Sequence, residues 1–364
     1  MASRFDAVGD AFAENFEEGA ELGACFAVVI DNELVVDIRG GHTDRAKQIP
    51  WTEDSLACIY STGKAVLTLL IAIEVSNGRI DYDMPVAQYW PEFAANGKEN
   101  ITVAQALSHQ AGLCALPEGT EPAIFLDWDA TCAVIAQMEP LWVPGSANGY
   151  HPQTFGYIAG EILRRVTGRN VGELVRSYCG SSLQIFCGME PSEIARAAFM
   201  PKPPRAPDLG ELNEFTKLAF LKPSSAPAKV AREDWMAAQI PASNMHADAR
   251  SLARALHPFV NGGEQDGDPL VKPDVIEDAF KERSRGDDLV LPFHLSWAAG
   301  VMRNINHHFG PNEHALGHAG FGGSAVVIDR EKKMTIGYVM SKMSPHLVGD
   351  PRSLRLIDAV YASL

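Results

Sequence analysis

The sequence predicts an α/β (α+β) protein. One antiparallel sheet is built from both chain termini and flanked by helices, and a mainly helical lobe is inserted between its halves. Three observations predict it. Paired strand patterns lie near the N-terminus, at 24–30 and 33–39, and the strand signal returns near the C-terminus, at 297–303, 324–329 and 334–340. The long stretch between reads mostly as helices and loops. A helical pattern stands outside the strands at each end.

Residues 4–19 carry Phe5, Val8, Phe12 and Phe16 at spacings of three to four, the pattern of a helix with one apolar face. The runs 24–30 and 33–39 are apolar and β-branched, and Asp31-Asn32 between them makes a hairpin turn. A third short strand is expected near 55–60, leading into a helix that starts near Ser61 and carries the apolar run 65–75. Asp81-Tyr82-Asp83-Met84-Pro85 breaks the pattern and marks a change of lobe. Helices follow at 103–108, 130–137, 152–167, 171–179 and 245–260, and the Pro- and Ala-rich 201–229 reads as an irregular excursion. A final helix, 353–363, closes the chain. The expected division is an α/β lobe from 1–82 and 285–364, with 83–284 as the inserted helical lobe.

Acidic residues outnumber basic ones, 46 to 31, for a formal net charge of -15. That argues against nucleic acid or an anionic membrane as partner, since both call for a basic patch. The run 65–75 is well short of the roughly 20 apolar residues that span a bilayer. The first residues show no basic stretch followed by an apolar one, so no secretory signal and a cytoplasmic location are expected. The six cysteines are scattered without C-x-x-C pairs and are expected as buried free thiols.

Ser61-Thr62-Gly63-Lys64 is the one S-x-x-K in the chain. At the start of a helix the serine and the lysine share a face. The serine's backbone N–H has no intrahelical acceptor, and the helix dipole favours negative charge there. These features suit an activated nucleophile with half an oxyanion hole. On its own the tetrad is equally compatible with an N-cap serine and a solvated lysine.

Two further segments bear on that choice. Val143-Pro144-Gly145-Ser146-Ala147-Asn148-Gly149-Tyr150 is a tight loop that could hold Tyr150 over the serine. A phenol titrates near 10, so it needs nearby positive charge to act as a base, and Lys64 could supply it. Leu316-Gly317-His318-Ala319-Gly320-Phe321-Gly322-Gly323-Ser324 surrounds a strand start with glycines that admit a substrate close to the backbone. Taken singly, Tyr150 is also compatible with a half-buried aromatic, and the glycine segment with a bulge around a core histidine.

S-x-x-K, then Pro-Gly followed by Tyr, then His318-x-Gly320-x-Gly322-Gly323 resembles in order the serine β-lactamase-like superfamily, over about 20–355. The branches it is most similar to are class C β-lactamases, D-alanyl-D-alanine carboxypeptidases and, above all, family VIII carboxylesterases. The resemblance implies Ser61 as nucleophile, Lys64 as its proton acceptor or relay, and Tyr150 as general base and then acid. It implies an oxyanion hole from the N–H groups of Ser61 and Phe321, with His318 and Gly320 in the substrate-binding third motif. No cofactor and no metal are implied.

The chain departs from the β-lactamase pattern in two places. Pro152 stands where asparagine is usual, and His318 stands where lysine is. Both changes weaken recognition of a carboxylate but leave the acyl-transfer groups in place. The expected activity is therefore hydrolysis of neutral carboxylic esters with short to medium acyl chains. The alternative is a β-lactamase or D-Ala-D-Ala carboxypeptidase-type amide hydrolase. With a histidine at 318, Tyr150 is expected to titrate high and activity to rise into the alkaline range. An apolar loop at 114–128, with Phe125 and Trp128, is the candidate acyl pocket, and Trp142 and Phe321 are further candidates. His307, His308, His314 and His318 lack a metal-ligand spacing such as H-E-x-x-H.

Overall fold

A computed structural model describes residues 3–364. Strands β1 (Gly23–Ile30) and β2 (Glu33–Gly41) form the N-terminal hairpin. Asp31 and Asn32 both take left-handed φ, 48° and 69°, as a two-residue hairpin turn requires. Six strands follow late in the chain: β3 (Ser284–Asp287), β4 (His294–Trp297), β5 (Met302–Arg303), β6 (Leu316–Ala319), β7 (Ala325–Asp329) and β8 (Met334–Met340). The eight-stranded sheet runs β2-β1-β8-β7-β6-β5-β4-β3, antiparallel throughout. The two ends of the chain meet where β1 pairs with β8, Val28 opposite Ile336. The expected fold class holds.

β1 is buried along its whole length because both faces of the sheet are covered. Ala24, Phe26, Val28 and Ile30 pack in one core with Phe5, Val8 and Phe12, and with Leu356, Ile357 and Val360. Those residues line the terminal helices α1 (Asp6–Glu17) and α5 (Pro351–Ala362) and the short turn before α1. Cys25, Ala27 and Val29 face the other core, with helices α2 (Gly63–Ser76), α3 (Thr154–Thr167) and α4 (Ala249–Leu256). α2 is apolar nearly all round and almost wholly buried, so each covered Leu, Ile or Val contributes roughly 1.5–3 kcal/mol.

Four expectations need correction. The strand near 55–60 shrinks to Ala57–Cys58 and joins a separate three-stranded sheet with His246–Ala247 and Ile185–Phe186. Residues 297–303 form no single strand: β4 ends at Trp297, and the chain turns through Gly300 (φ 96°) into β5. Edge strand β3 has mixed polar composition, gave no apolar signal and was not expected. The excursion 201–229 contains a short helix, Glu214–Phe220, whose end lines the same pocket as Ser61 and Tyr150.

Among the described residues, no helix is long and apolar enough to cross a membrane. All six cysteines are buried and unpaired.

Candidate active site

A 3-10 turn, Tyr60–Thr62, feeds directly into α2, and Ser61 lies in it. Tyr60 is held at φ 45°, a strained conformation for a residue with a Cβ. One turn on, Lys64 is fully buried. Its Nζ donates to Ser61 Oγ at 3.0 Å, lies 2.9 Å from the Tyr150 hydroxyl, and donates to the Pro152 carbonyl at 2.9 Å. Pro152 thus engages the lysine through its backbone oxygen, although it offers no side-chain group.

Burial, with no facing carboxylate, pushes the Lys64 amine well below the ordinary lysine range. Burial also raises Tyr150 above the ordinary phenol range; its contact with Ser61 acts the other way, and Asp288 reinforces the rise. These directions reverse the expectation that a lysine cation would lower the tyrosine. An amine depressed in this way gives up its proton more readily than an ordinary lysine, and its lone pair, turned toward Ser61 Oγ 3.0 Å away, can then accept the serine proton.

Tyr150 is held from several sides. Asp288 Oδ1 accepts from the N–H groups of Tyr150, Val290 and Leu291, each at 2.9 Å, and Oδ2 accepts from Asn148 Nδ2 at 2.9 Å. The phenol ring stacks on Trp297, with centroids 5.8 Å apart and planes 14° apart. His109 packs at 4.9 Å from the same ring. His151 bridges the loop to its surroundings: Nδ1 donates to Gly149 O at 2.6 Å, and Nε2 accepts from Leu113 N–H at 2.9 Å. Both acceptor and donor sites of this imidazole are used, and burial holds it far below the usual histidine range, at about 3. Asp288→Ala is expected to leave buried donors unmet, to cost about 2 kcal/mol of stability and to lower kcat about tenfold through a displaced Tyr150. Urea unfolding and steady-state kinetics on the same preparation check both.

Gly320 to Gly323 form a turn closed by Gly323 N–H to Gly320 O at 3.0 Å, with Gly322 at φ 94°. Only glycine takes that φ without strain, and a turn of this kind leaves the N–H of its second residue free. That residue is Phe321, whose N–H has no protein acceptor among the described residues. Gly320 is needed for space: a Cβ there would lie 2.2 Å from both Ile59 O and Ser324 Oγ. Ser324 Oγ donates to Ile59 O at 2.8 Å and lies 3.0 Å from Thr62 Oγ1, fastening the turn to the start of α2.

Ser61, Tyr150 and Phe321 open onto a pocket of about 360 Å3 that has no Asp, Glu, Lys, Arg or His in its lining. Much of its wall comes from the excursion, including Ala206, Pro207, Leu209, Ala219 and Phe220, with Leu291 and Met302 opposite. The sequence signal for this wall was modest: an apolar run, Leu218–Leu221, inside an otherwise irregular segment. Asp288 and His109 gave no local signal.

Three expected pocket residues lie elsewhere. Trp128 Nε1 donates to Glu161 Oε2 at 2.8 Å, and its ring packs on Tyr157. Phe125 is buried in the large core beside Tyr157. Both pack against α3 because the 114–128 loop turns inward toward it. Trp142 braces the tyrosine loop through Ala147 O at 3.2 Å and is not in the pocket wall. His318 is fully buried behind the wall and is not among the residues that line it, its Nδ1 donating to Ala319 O at 2.8 Å. Burial and the neighbouring Lys64 hold His318 at about 3, so it does not titrate near 6.5. Gly320 likewise shapes the turn without lining the pocket. Among the described residues, no set of three His, Cys, Asp or Glu side chains converges as metal ligands would.

An antiparallel sheet flanked by helices, with a serine at the start of a buried helix and a lysine and a tyrosine in contact, defines a hydrolase of the serine β-lactamase fold. The chain belongs to the beta-lactamase family: residues 9–360 match that family's sequence model. It is 31% identical over 369 residues to Esterase/beta-lactamase LipL of Mycobacterium tuberculosis, covering 95% of this chain and 83% of that protein. A crystal structure of a penicillin-binding protein homologue from Caulobacter crescentus is 49% identical with a TM-score of 0.97, covering 100% of this chain and 98% of that one. The structure of a family VIII carboxylesterase is 38% identical with a TM-score of 0.93, again over 100% and 98%.

Proposed function

We propose that this protein hydrolyses neutral carboxylic esters of short to medium acyl chain through an acyl-enzyme on Ser61. The observation that carries this reading is the pocket: an uncharged, mainly apolar cavity at a serine in contact with a buried amine. A substrate carboxylate would be desolvated there without a cationic partner. A neutral ester carries no such cost. The likeness to a family VIII carboxylesterase and to a relative named as an esterase supports the same choice.

In the proposed reaction the Lys64 amine takes the Ser61 hydroxyl proton as Oγ bonds to the ester carbonyl carbon. The carbonyl electron pair moves onto oxygen, which accepts hydrogen bonds from the Ser61 and Phe321 N–H groups. As the tetrahedral species collapses, the carbon–alkoxide bond breaks. The alkoxide takes the Tyr150 proton, and Lys64, 2.9 Å away, restores it. Water then attacks the acyl-enzyme, giving its proton to the Lys64–Tyr150 pair, and Ser61 leaves with a proton returned from that pair. The balance is ester plus water to acid plus alcohol.

The pH dependence follows from the lowered Lys64 amine. Protonation removes the base, so kcat/KM falls about tenfold per pH unit below the depressed lysine value. Above it the base stays free, so the profile levels off well below the ordinary lysine range. This replaces the alkaline rise expected from sequence. A kcat/KM still climbing toward pH 10 would contradict it.

A fluorophosphonate label should be found on Ser61 by peptide mapping. In parallel, p-nitrophenyl acetate and butyrate should turn over faster than nitrocefin or a D-Ala-D-Ala peptide. Preferred turnover of the amide substrates would move the assignment to the β-lactamase or carboxypeptidase reading, which the double name of the Mycobacterium relative keeps in view.

A further inference from the structure

We infer that Gln153 is a specificity-determining residue that hydrogen-bonds an amide or carbonyl group carried by the substrate beyond its scissile ester. The inference rests on the ester-hydrolase reading above and adds a substrate class to it.

Gln153 lines the pocket beside Tyr150 and Pro152. It occupies the N-cap position of α3, yet its side chain caps nothing. Glutamine is a poor choice for that position, where Ser, Thr, Asp or Asn would satisfy a free N–H. Its Oε1 is buried without a hydrogen-bond partner, while Nε2, which also has no protein partner, keeps accessible surface and is the atom a ligand can reach. Buried amide oxygens are normally paired, and leaving one unpaired costs stability. The amide group as a whole makes no hydrogen bond within the protein among the described residues, so exchanging its O and N positions would satisfy neither.

The rest of the wall accentuates this group. Apart from Ser61 and Tyr150, the polar side chains there are two serines, Gln153 and Tyr60, and the Tyr60 hydroxyl points to Met343 Sδ at 3.8 Å. An amide in a mainly apolar cavity discriminates strongly, because a ligand lacking the complementary group leaves it unpaired. A carbonyl oxygen on the substrate, free or part of an amide, complements the accessible Nε2 donor.

Matched ester pairs test the inference. For the acyl side, p-nitrophenyl N-acetylglycinate is compared with p-nitrophenyl pentanoate, which has the same chain length. For the alcohol side, the butyrate ester of N-acetylethanolamine is compared with pentyl butyrate by pH-stat. In Gln153→Leu the polar-to-apolar ratio of kcat/KM should fall about five- to tenfold in one of the two arms. Each ratio compares two substrates on one preparation, so a loss of folded enzyme cancels. Ratios within twofold of the wild-type in both arms would overturn the inference while leaving the ester-hydrolase reading intact. A wild-type protein that turns over none of the four esters would overturn both.

Discussion

Lys64→Met is expected to lower kcat/KM for p-nitrophenyl butyrate by about 10³-fold or more, and Ser61→Ala by about 10⁴- to 10⁶-fold. The two losses should not add in the double variant, because serine and lysine act as one proton-transfer unit. Methionine matches the lysine stem and removes an amine that is buried without a counter-charge. Stability should therefore stay within about 1 kcal/mol of wild type or rise. That separates lost chemistry from lost fold. Ser61→Ala should also abolish fluorophosphonate labelling. Full ester turnover by Ser61→Ala would refute the acyl-enzyme, and a Lys64→Met variant that keeps wild-type kcat/KM would remove the amine from the mechanism.

Arg352→Met is expected to cost about 3–5 kcal/mol of stability, the scale for removing one partner of a buried ion network. The guanidinium is 7% exposed. It binds both oxygens of Asp350, at 3.0 and 2.8 Å, and Glu21 at 3.2 Å. It also donates to the carbonyls of Ala20 (3.3 Å), Lys342 (2.7 Å) and Gly322 (2.8 Å). One side chain on α5 therefore ties the end of β8, the approach to β1 and the Phe321 turn together. Without it, two buried carboxylates lose their cation, and the Phe321 N–H loses the anchor of its turn. Arg352→Lys restores charge but not the fork geometry and should fall between wild type and Arg352→Met. Equilibrium unfolding in urea reads the first effect, and kcat on the folded fraction reads the second. An unfolding midpoint equal to wild type in Arg352→Met would show that the network contributes nothing to stability.

Legibility along the sequence followed locality. The hairpin at 23–41 was readable because β-branched runs flank two residues able to take left-handed φ. β8 and the helix Val171–Cys179 were readable from apolar pattern to the residue. β3 was not, because an edge strand of Ser, Arg, Gly and Asp takes its form from pairing with β4. The apolar neighbours of Trp128 pointed it to the pocket, whereas its indole N–H is held by Glu161 on α3.

At the candidate site, the S-x-x-K spacing by itself determined that a serine and an amine share a helix face, since helical geometry is a local rule. The tyrosine loop and the glycine turn were each legible from their own segments, 143–150 and 316–324. The tertiary structure decided which of these groups meet: Lys64 reaches a tyrosine 86 positions away. It decided the charge on the amine too, because depression of a lysine requires burial without an acid, and burial is a property of packing. It placed Asp288 beneath the tyrosine and lined the cavity from an excursion that carries only a faint pattern of its own. Sequence periodicity reports which face of an element is apolar; what that face meets depends on contacts between distant segments, which only the folded chain creates.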